Sequence, residues 1–502
     1  MKLYSAQTSQ AIDRDAIENH GIPGILLMKR AAWFAFDVLE QHIIAKLPAN
    51  SGMTKQLLIV CGTGNNGGDG FMLAQYAKIH GFNVTVALLG EPAKIKNDAR
   101  IAFEEMQQCG LSAEAFDIKQ IHEADVIIDA IFGTGLNKNI SDHYEIAIKA
   151  INQSHKPVLA IDIPSGVNAD CGALWGQAVQ ATHTCTFITQ KLGLYTAQGQ
   201  EHSGKIHFSN LHLDKPIYKK HAPIARHHTL KFWLNKRPSR SASHHKGKAG
   251  TSGLIGGNYT MMGAIQLAGL ASLKSGSGLI KIITQAEHAI GITQALPELM
   301  CYSQSKLSTV LNQVNAIGIG PGLGEDSWAQ TLFEEAIHST QPKVIDADAL
   351  KLLKPRVEHI KLKNWVLTPH PGEAAMLLDW STQQIQNNRV AAIKALHSLF
   401  GGVIVLKGNG SLIYDGQNLE ICTAGNAGMA VGGMGDVLTG AITSFLAQGL
   451  SLWDAANLGV SAHAHAGDIM AQQNGQPSLT PSEVAQTIGQ LLAYGCHPPA
   501  SH

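Results

Sequence analysis

Short apolar runs alternate with apolar residues at helical spacing along most of the chain. Ile12, Ala16 and Ile17, then Leu26, Leu27, Ala31, Phe34 and Val38, predict helix over residues 8–42, broken at Gly21–Gly24. This stretch precedes any predicted strand, so it is expected to pack across the sheet that follows. Strands are predicted over 56–62, 83–90, 124–132 and 156–166, with a helix over 71–79 after the first. A second series has strands near 252–257, 278–284, 315–324, 343–350 and 402–410, a strand, Pro-bounded turn and helix over 365–377, and helices over 264–276 and 437–446. Residues 411–428 read as a hairpin. Strands that alternate with helices predict parallel sheets covered on both faces. The two series are not repeats of each other. They predict an α/β chain of two domains, 1–215 and 251–502, joined by a connector over 216–250.

The 502 residues are too many for one ordinary core. Hydrophobic residues make up 45% and charged ones 15%, which fits large buried sheets. Lys+Arg and Asp+Glu balance at 38 each, so no electrostatic case exists for nucleic acid or an anionic membrane. The seven cysteines are scattered without a C-x-x-C pair, as expected of reduced thiols in a cytoplasmic protein. The polar N-terminus is no signal peptide, and no apolar run reaches bilayer length. A cytoplasmic homo-oligomer with small-molecule partners is expected. The connector is rich in Lys, Arg and His, including His227, His228, His244 and His245. Without a spaced carboxylate or Cys partner, it reads as a solvated linker rather than a metal site.

Three strand ends in the first half carry polar or glycine-rich loops. Gly62-Thr-Gly-Asn-Asn-Gly-Gly-Asp-Gly70 fits G-x-G-x-x-G between a strand and a helix. Asn65 and Asn66 add side-chain amides, and Asp69 puts a carboxylate in the helix's first turn. Asp129 with Gly133 and Gly135, and Asp162 with Ser165, end the next two strands. Ligands of parallel sheets sit outside such ends. Oxygen groups meeting there suit a hard cation or a sugar phosphate. Each Asp taken singly reads as a loop cap, but three such loops on successive strand ends favour a site.

The second half converges on Ala424–Leu438, with five glycines in fifteen residues ahead of an apolar helix. Glycines let backbone approach a ligand, and the free N–H groups of a helix start attract anions. Asp436 sits at the mouth, where a carboxylate is suited to take a proton from the group receiving a phosphoryl. The bland alternative is a helix cap.

GTGNNGGDG, DAIFGTG and AIDIPSG resemble the N-terminal domain of the bifunctional NAD(P)H-hydrate repair enzymes. The resemblance implies a Rossmann-like three-layer α/β/α fold and an epimerase. Its substrates would be the R and S forms of NADHX and NADPHX, nicotinamides hydrated at C6. K⁺ would be held by Asn66, Asp129 and Ser165. Asn65, Asn66, Gly67, Gly68 and Asp69 would contact the hydrated nucleotide, as would Gly133, Thr134, Gly135, Leu136, Asn137, Lys138, Asn139 and Asp162. Asp162 would be the acid/base.

GPGLG, DADAL, TPHPGE, KGN and GGMGD resemble the ribokinase-like NAD(P)H-hydrate dehydratase domain. This implies removal of water from S-NAD(P)HX at the expense of ADP or ATP, with Mg²⁺ bridging phosphates. Asp436 would be the base, and Gly433 and Gly435 would supply N–H groups to the transferring phosphoryl. Lys407, Gly408, Asn409, Gly410, Ser411 and Gly435 would hold the adenine nucleotide. Ala264, Gly322, His370 and Asp436 would touch the hydrated dinucleotide, and Asp346 and Glu373 stand near the metal. Alone, His370 reads as a capping histidine and Lys407 as a solvent lysine. A vitamin or sugar kinase fused to a dinucleotide-binding domain, or a non-enzymatic scaffold, are the competing readings.

Overall fold

The computed structural model describes residues 1–48, 54–136, 138–238, 249–356 and 363–494. The chain divides into two compact units, Lys2–Ala225 and Arg226–His502, the latter grouped with Met1.

In the first unit, seven parallel strands form one sheet: β1 (Gln56–Cys61), β2 (Asn83–Leu88), β3 (Ala113–Ala115), β4 (Val126–Ala130), β5 (Val158–Ile161), β6 (His183–Phe187) and β7 (Lys205–Ser209). Their order is β3-β2-β1-β4-β5-β6-β7. The order reverses between β1 and β4, the place where an open parallel sheet makes its ligand crevice. Helices α1 (Ala6–Glu18) and α2 (Gly24–Val38) flank the break expected at Gly21–Gly24. A short strand, Lys2–Tyr4, precedes them, so the helical stretch does not come before every strand. α2 joins the core on one face, with Leu27, Met28, Ala31 and Phe36 buried against the helix after β1 and the sheet.

That helix, α3 (Asn65–Ile79), starts six residues before the expected position. Its glycines argue against helix by propensity, but they permit contact that no side chain would. A Cβ on Gly67 would lie 1.9 Å from the Gly62 carbonyl oxygen, and one on Gly70 would lie 2.6 Å from Ala130. Close seating on the sheet therefore overrides the local cost of about 1 kcal/mol per glycine.

The second unit is built on β8 (Thr251–Ile255), β9 (Leu279–Ile283), β10 (Leu299–Tyr302), β11 (Ala316–Ile319), β12 (Lys343–Ile345), β13 (Trp365–Leu367) and β14 (Val403–Leu406). These are parallel, in the order β10-β9-β8-β11-β12-β13-β14. The expected hairpin follows as β15 (Ser411–Tyr414), antiparallel to β14, and β16 (Leu419–Cys422), antiparallel to β15. Helices α4 (Met262–Lys274), α5 (Pro371–Leu378), α6 (Arg389–Phe400), α7 (Met434–Ala447), α8 (Leu452–Asn474) and α9 (Pro481–Tyr494) cover the sheet. The small residues of α4 serve contact with α7 as well as with the sheet: a Cβ on Gly440 would lie 2.1 Å from the Ala268 carbonyl oxygen.

Part of the expected connector is ordered. Arg226 pairs with Glu420, Leu230–Leu234 is helical and Trp233 is buried. The His228 imidazole meets the buried Glu420 carboxylate at 3.0 Å, a partner far away in sequence. His244, His245, Lys246 and Lys248 lie outside the described residues.

Candidate active sites

The first unit holds a cavity of about 610 Å³ at the C-terminal ends of β1, β4 and β5. Its wall includes Asn65, Asn66, Asp69, Gly133, Thr134, Gly135, Leu136, Lys138 and Asp162. Asn139 is exposed outside that wall, and Asn137 lies outside the described residues. Gly67 and Gly68 are buried beneath it, where Gly68 approaches the Met28 thioether.

Asp129 ends β4 with its carboxylate wholly buried. The Ser165 hydroxyl donates to Oδ1 at 2.6 Å and the Ser165 N–H to Oδ2 at 2.8 Å. Burial pushes this carboxyl up to about 6, while the bonds from Ser165 and Ile131 pull it down. Ser165 Oγ also accepts from the Phe132 N–H at 2.8 Å. Asn66 comes in from α3. Its amide nitrogen is buried without a partner, and its amide oxygen lies 3.2 Å from the place a Gly133 Cβ would take. Asp162 Oδ2 is 3.4 Å from that same place. The three strand ends singled out in the sequence therefore converge on Gly133.

Asp162 has a φ of +65°, a left-handed conformation that costs a non-glycine residue about 1–2 kcal/mol. Its side chain is held by Lys191, a fully buried lysine that also donates to Thr186 Oγ1 and the Phe187 carbonyl, both at 2.9 Å. Asp13 and Asp98 share the cavity. Burial raises the Asp69 carboxyl well above its ordinary value, and the charges of Asp162 and Asp13 raise it further. A paired carboxylate beside one inclined to keep its proton is an arrangement suited to proton traffic.

The second site lies where α7 begins. Gly433 precedes the helix with φ +98°, and Asp436 stands in its first turn. Val437 N–H donates to the Gly433 carbonyl and Met434 N–H to that of Val431. Among the described residues, none accepts from the N–H groups of Val431, Gly432, Gly433, Gly435 or Asp436. Such a row is an anion site, and a charged guest there also gains from the helix dipole.

Lys407 ends the segment after β14 and donates to Asp346 Oδ1 at 2.8 Å, with Glu373 Oε2 at 3.7 Å. Its ammonium would lie 3.4 Å from a Cβ on Gly435. Thr439 Oγ1 donates to the other Asp346 oxygen at 2.8 Å. Burial pushes the Asp436 carboxyl up to about 7, helped by the charge of Asp346 and opposed by Lys407. Gly322 and Ala264 are neighbours, a Gly322 Cβ falling 3.1 Å from that of Ala264. His370 is exposed and caps α5, its Nδ1 accepting from Gly372 N–H at 3.0 Å and Glu373 N–H at 3.2 Å. Gly408 takes φ +135°, and Ser411 donates to its carbonyl at 3.0 Å. Asn409 and Gly410 form the turn between them. Among the described residues, no three His, Cys, Asp or Glu side chains are grouped to hold a metal ion.

Residues 252–490 match the family model described as NAD(P)H-hydrate dehydratase, and residues 25–193 match the YjeF-related N-terminal domain. A bifunctional NAD(P)H-hydrate repair enzyme from Coxiella burnetii is 38% identical over 98% of this chain and 99% of its own length. The chain belongs to the bifunctional NAD(P)H-hydrate repair enzymes. A second such repair enzyme, from Vibrio cholerae, is 36% identical over 98% of both chains. A solved ribokinase-like superfamily protein from Enterococcus faecalis is 28% identical with a TM-score of 0.50, over 54% of this chain and 95% of its own. The repair enzyme here thus joins an epimerase domain to a dehydratase domain of ribokinase-like fold.

Sequence reasoning gave no role to Lys191, Thr439 or Arg389. Arg389 is fully buried, and its guanidinium donates to the carbonyls of Leu406, Lys407 and Gly410 at 3.1, 3.3 and 3.4 Å. Lys191 gives no local signal, since its partner Asp162 is 29 residues away.

Proposed function

We propose that the two sites act in sequence on hydrated nicotinamide nucleotides. The first cavity exchanges the R and S forms of NADHX and NADPHX, with Asp162 as acid/base at C6. The second site removes water from the S form at the expense of ADP or ATP. Hydroxide is a poor leaving group and phosphate a good one. Asp436 takes the proton of the ring hydroxyl as that oxygen attacks the terminal phosphoryl, and phosphate then leaves as the ring nitrogen pushes electrons. Asp436 is the only carboxylate in the first turn of α7, and its raised pKa suits it to accept a proton near neutral pH.

The observation that carries this reading is the set of N–H groups of Val431, Gly432, Gly433, Gly435 and Asp436, without an acceptor among the described residues, beside Lys407. A phosphoryl there would be met by donors and an ammonium while its acceptor is deprotonated by Asp436. Lys407, Gly408, Asn409, Gly410, Ser411 and Gly435 are assigned to the adenine nucleotide. Ala264, Gly322 and His370 are assigned to the hydrated dinucleotide. Domain bounds of 1–215, 216–250 and 251–502, and a cytoplasmic homo-oligomer, complete the assignment.

The donor set around Asp129 suits K⁺. It combines a buried carboxylate, the Asn66 amide and the Ser165 hydroxyl, all hard oxygen ligands once the Asn66 amide turns its oxygen inward. A cation there would offset the burial of the Asp129 charge. Without a carboxylate cluster, Mg²⁺ would arrive on the phosphates and keep water ligands, its common habit.

The test is to incubate the protein with mixed hydrated NADH epimers, ADP, Mg²⁺ and K⁺ and follow NADH by absorbance. Recovery of both epimers is expected. Recovery of one epimer alone would remove the epimerase assignment, and no recovery would remove the dehydratase assignment.

A further inference from the structure

The glycine loop ahead of α7 is strapped to α8 at one end. Asp468 of α8 accepts the Gly425 N–H on Oδ2 and the Asn426 side-chain N–H on Oδ1, each at 2.9 Å. Asn426 Oδ1 in turn accepts the Gly428 N–H at 3.0 Å. Met429 fills the space over Gly467, where a Cβ would fall 2.4 Å from its sulfur. A Cβ on Gly428 would fall 2.4 Å from the Gln476 carbonyl oxygen. The other end is fixed at Gly433, where a Cβ would meet Leu267 at 2.6 Å and Pro481 at 3.2 Å. Between these anchors stand Ala430, Val431 and Gly432, all exposed. Val431, Gly432 and Gly433 carry unpaired donors described above, while the Ala430 N–H is bound to the Ala427 carbonyl at 3.1 Å.

So short a span has little freedom of its own, and its donors go where its ends are held. Hydrogen bonds to an ionised carboxylate are roughly twice as strong as neutral ones. A donor displaced by about 1 Å from a developing charge loses most of its effect. We propose that Asp468 is the positioning residue of the phosphoryl loop. It touches neither nucleotide nor substrate, and through Gly425 and Asn426 it sets where the Val431, Gly432 and Gly433 N–H groups meet the transferring phosphoryl. This rests on the reading of that loop as the phosphoryl site.

Asp468→Asn tests it, because an amide offers one acceptor where the loop needs two and turns N–H against a donor. The readouts are kcat for dehydration, KM for ADP, and the inhibition constant of orthovanadate with AMP, which together imitate the transferring group. An inhibition constant does not depend on the fraction of protein that is folded. The expected result is an inhibition constant raised tenfold or more, kcat lowered by a similar factor and KM for ADP within threefold of wild type. Asn426→Ala, which removes the clamp from the loop side, should shift the same quantities in the same direction. If wild type is not inhibited by vanadate with AMP, the phosphoryl-site reading itself falls. If wild type is inhibited but both variants keep its inhibition constant, whatever their kcat, the role of Asp468 is refuted and the loop assignment stands.

Discussion

Lys407 and Asp346 meet at 2.8 Å across the floor of the second candidate site, and Thr439 holds the far oxygen of the same carboxylate. The pair joins the end of one strand to the end of another and brings an ammonium to the start of α7. Asp346→Asn would leave that ammonium with the Glu373 carboxylate at 3.7 Å and the more distant charge of Asp436. Breaking a buried pair costs about 3–5 kcal/mol. With the Lys407 side chain 20% exposed, about 2–3 kcal/mol is expected here. The melting temperature should fall, and KM for ADP should rise at least tenfold, while R/S exchange stays at the wild-type rate.

Asp436 predicts a pH profile. Its carboxyl titrates near about 7, and only the ionised form can accept a proton. The kcat/KM for dehydration should therefore drop as pH falls through about 7, tenfold per unit below it. Asp436→Asn should lower dehydration by about 10²–10⁴-fold and leave epimerisation intact. The stability effect has the opposite sign. A carboxyl raised on folding costs nothing below its unfolded value and weakens the fold increasingly as pH rises toward 7. The asparagine variant should thus melt higher than wild type at pH 8, and by a smaller margin at pH 5.

The Lys191–Asp162 pair predicts separable activities. Lys191→Met removes the cation that holds Asp162 and leaves Thr186 and Phe187 without their donor. Exchange of R and S forms, followed by chromatography, should slow at least a hundredfold. Dehydration of purified S-NADHX should be unchanged. Asp162→Asn should likewise lose exchange while retaining the nucleotide.

Gly433→Ala tests the backbone of the anion site. The added Cβ would sit at φ +98° and 2.6 Å from Leu267. The left-handed conformation alone costs about 1–2 kcal/mol, and relief would require the start of α7 to shift. Dehydration should fall at least tenfold with a lowered melting temperature, measured beside an unaltered epimerase rate.

β3, β6, β7 and β10 were not anticipated, because β3 and β10 are only three and four residues long and β6 and β7 mix His, Thr, Lys or Ser into the run. The other parallel strands were legible because each is a short apolar run closed by glycine or polar residues. The hairpin and α7 were legible for the same reason. The sites were legible where chemistry clusters in sequence, as in the paired asparagines or the loop before Asp436. The start of α3 was not, because its glycines look like a turn until their contacts with Gly62 and Ala130 are known. The ordered part of the connector was hidden too, since His228 finds Glu420 192 residues away. Lys191, Thr439, Arg389 and Asp468 share that cause. Each acts through a partner that only the folded chain supplies, and none carries a local pattern.

Arg389 has a consequence for how its loop faces the world. A guanidinium keeps its proton even in the interior, so the carbonyls of Leu406, Lys407 and Gly410 are drawn inward to it. Within a planar amide the oxygen and the hydrogen point opposite ways. The hydrogen matching the Leu406 oxygen therefore points the other way, and this Lys407 N–H reaches the Pro369 carbonyl at 3.0 Å. One sunken cation thereby gathers three carbonyls of a single bend and ties them to the first residue of α6.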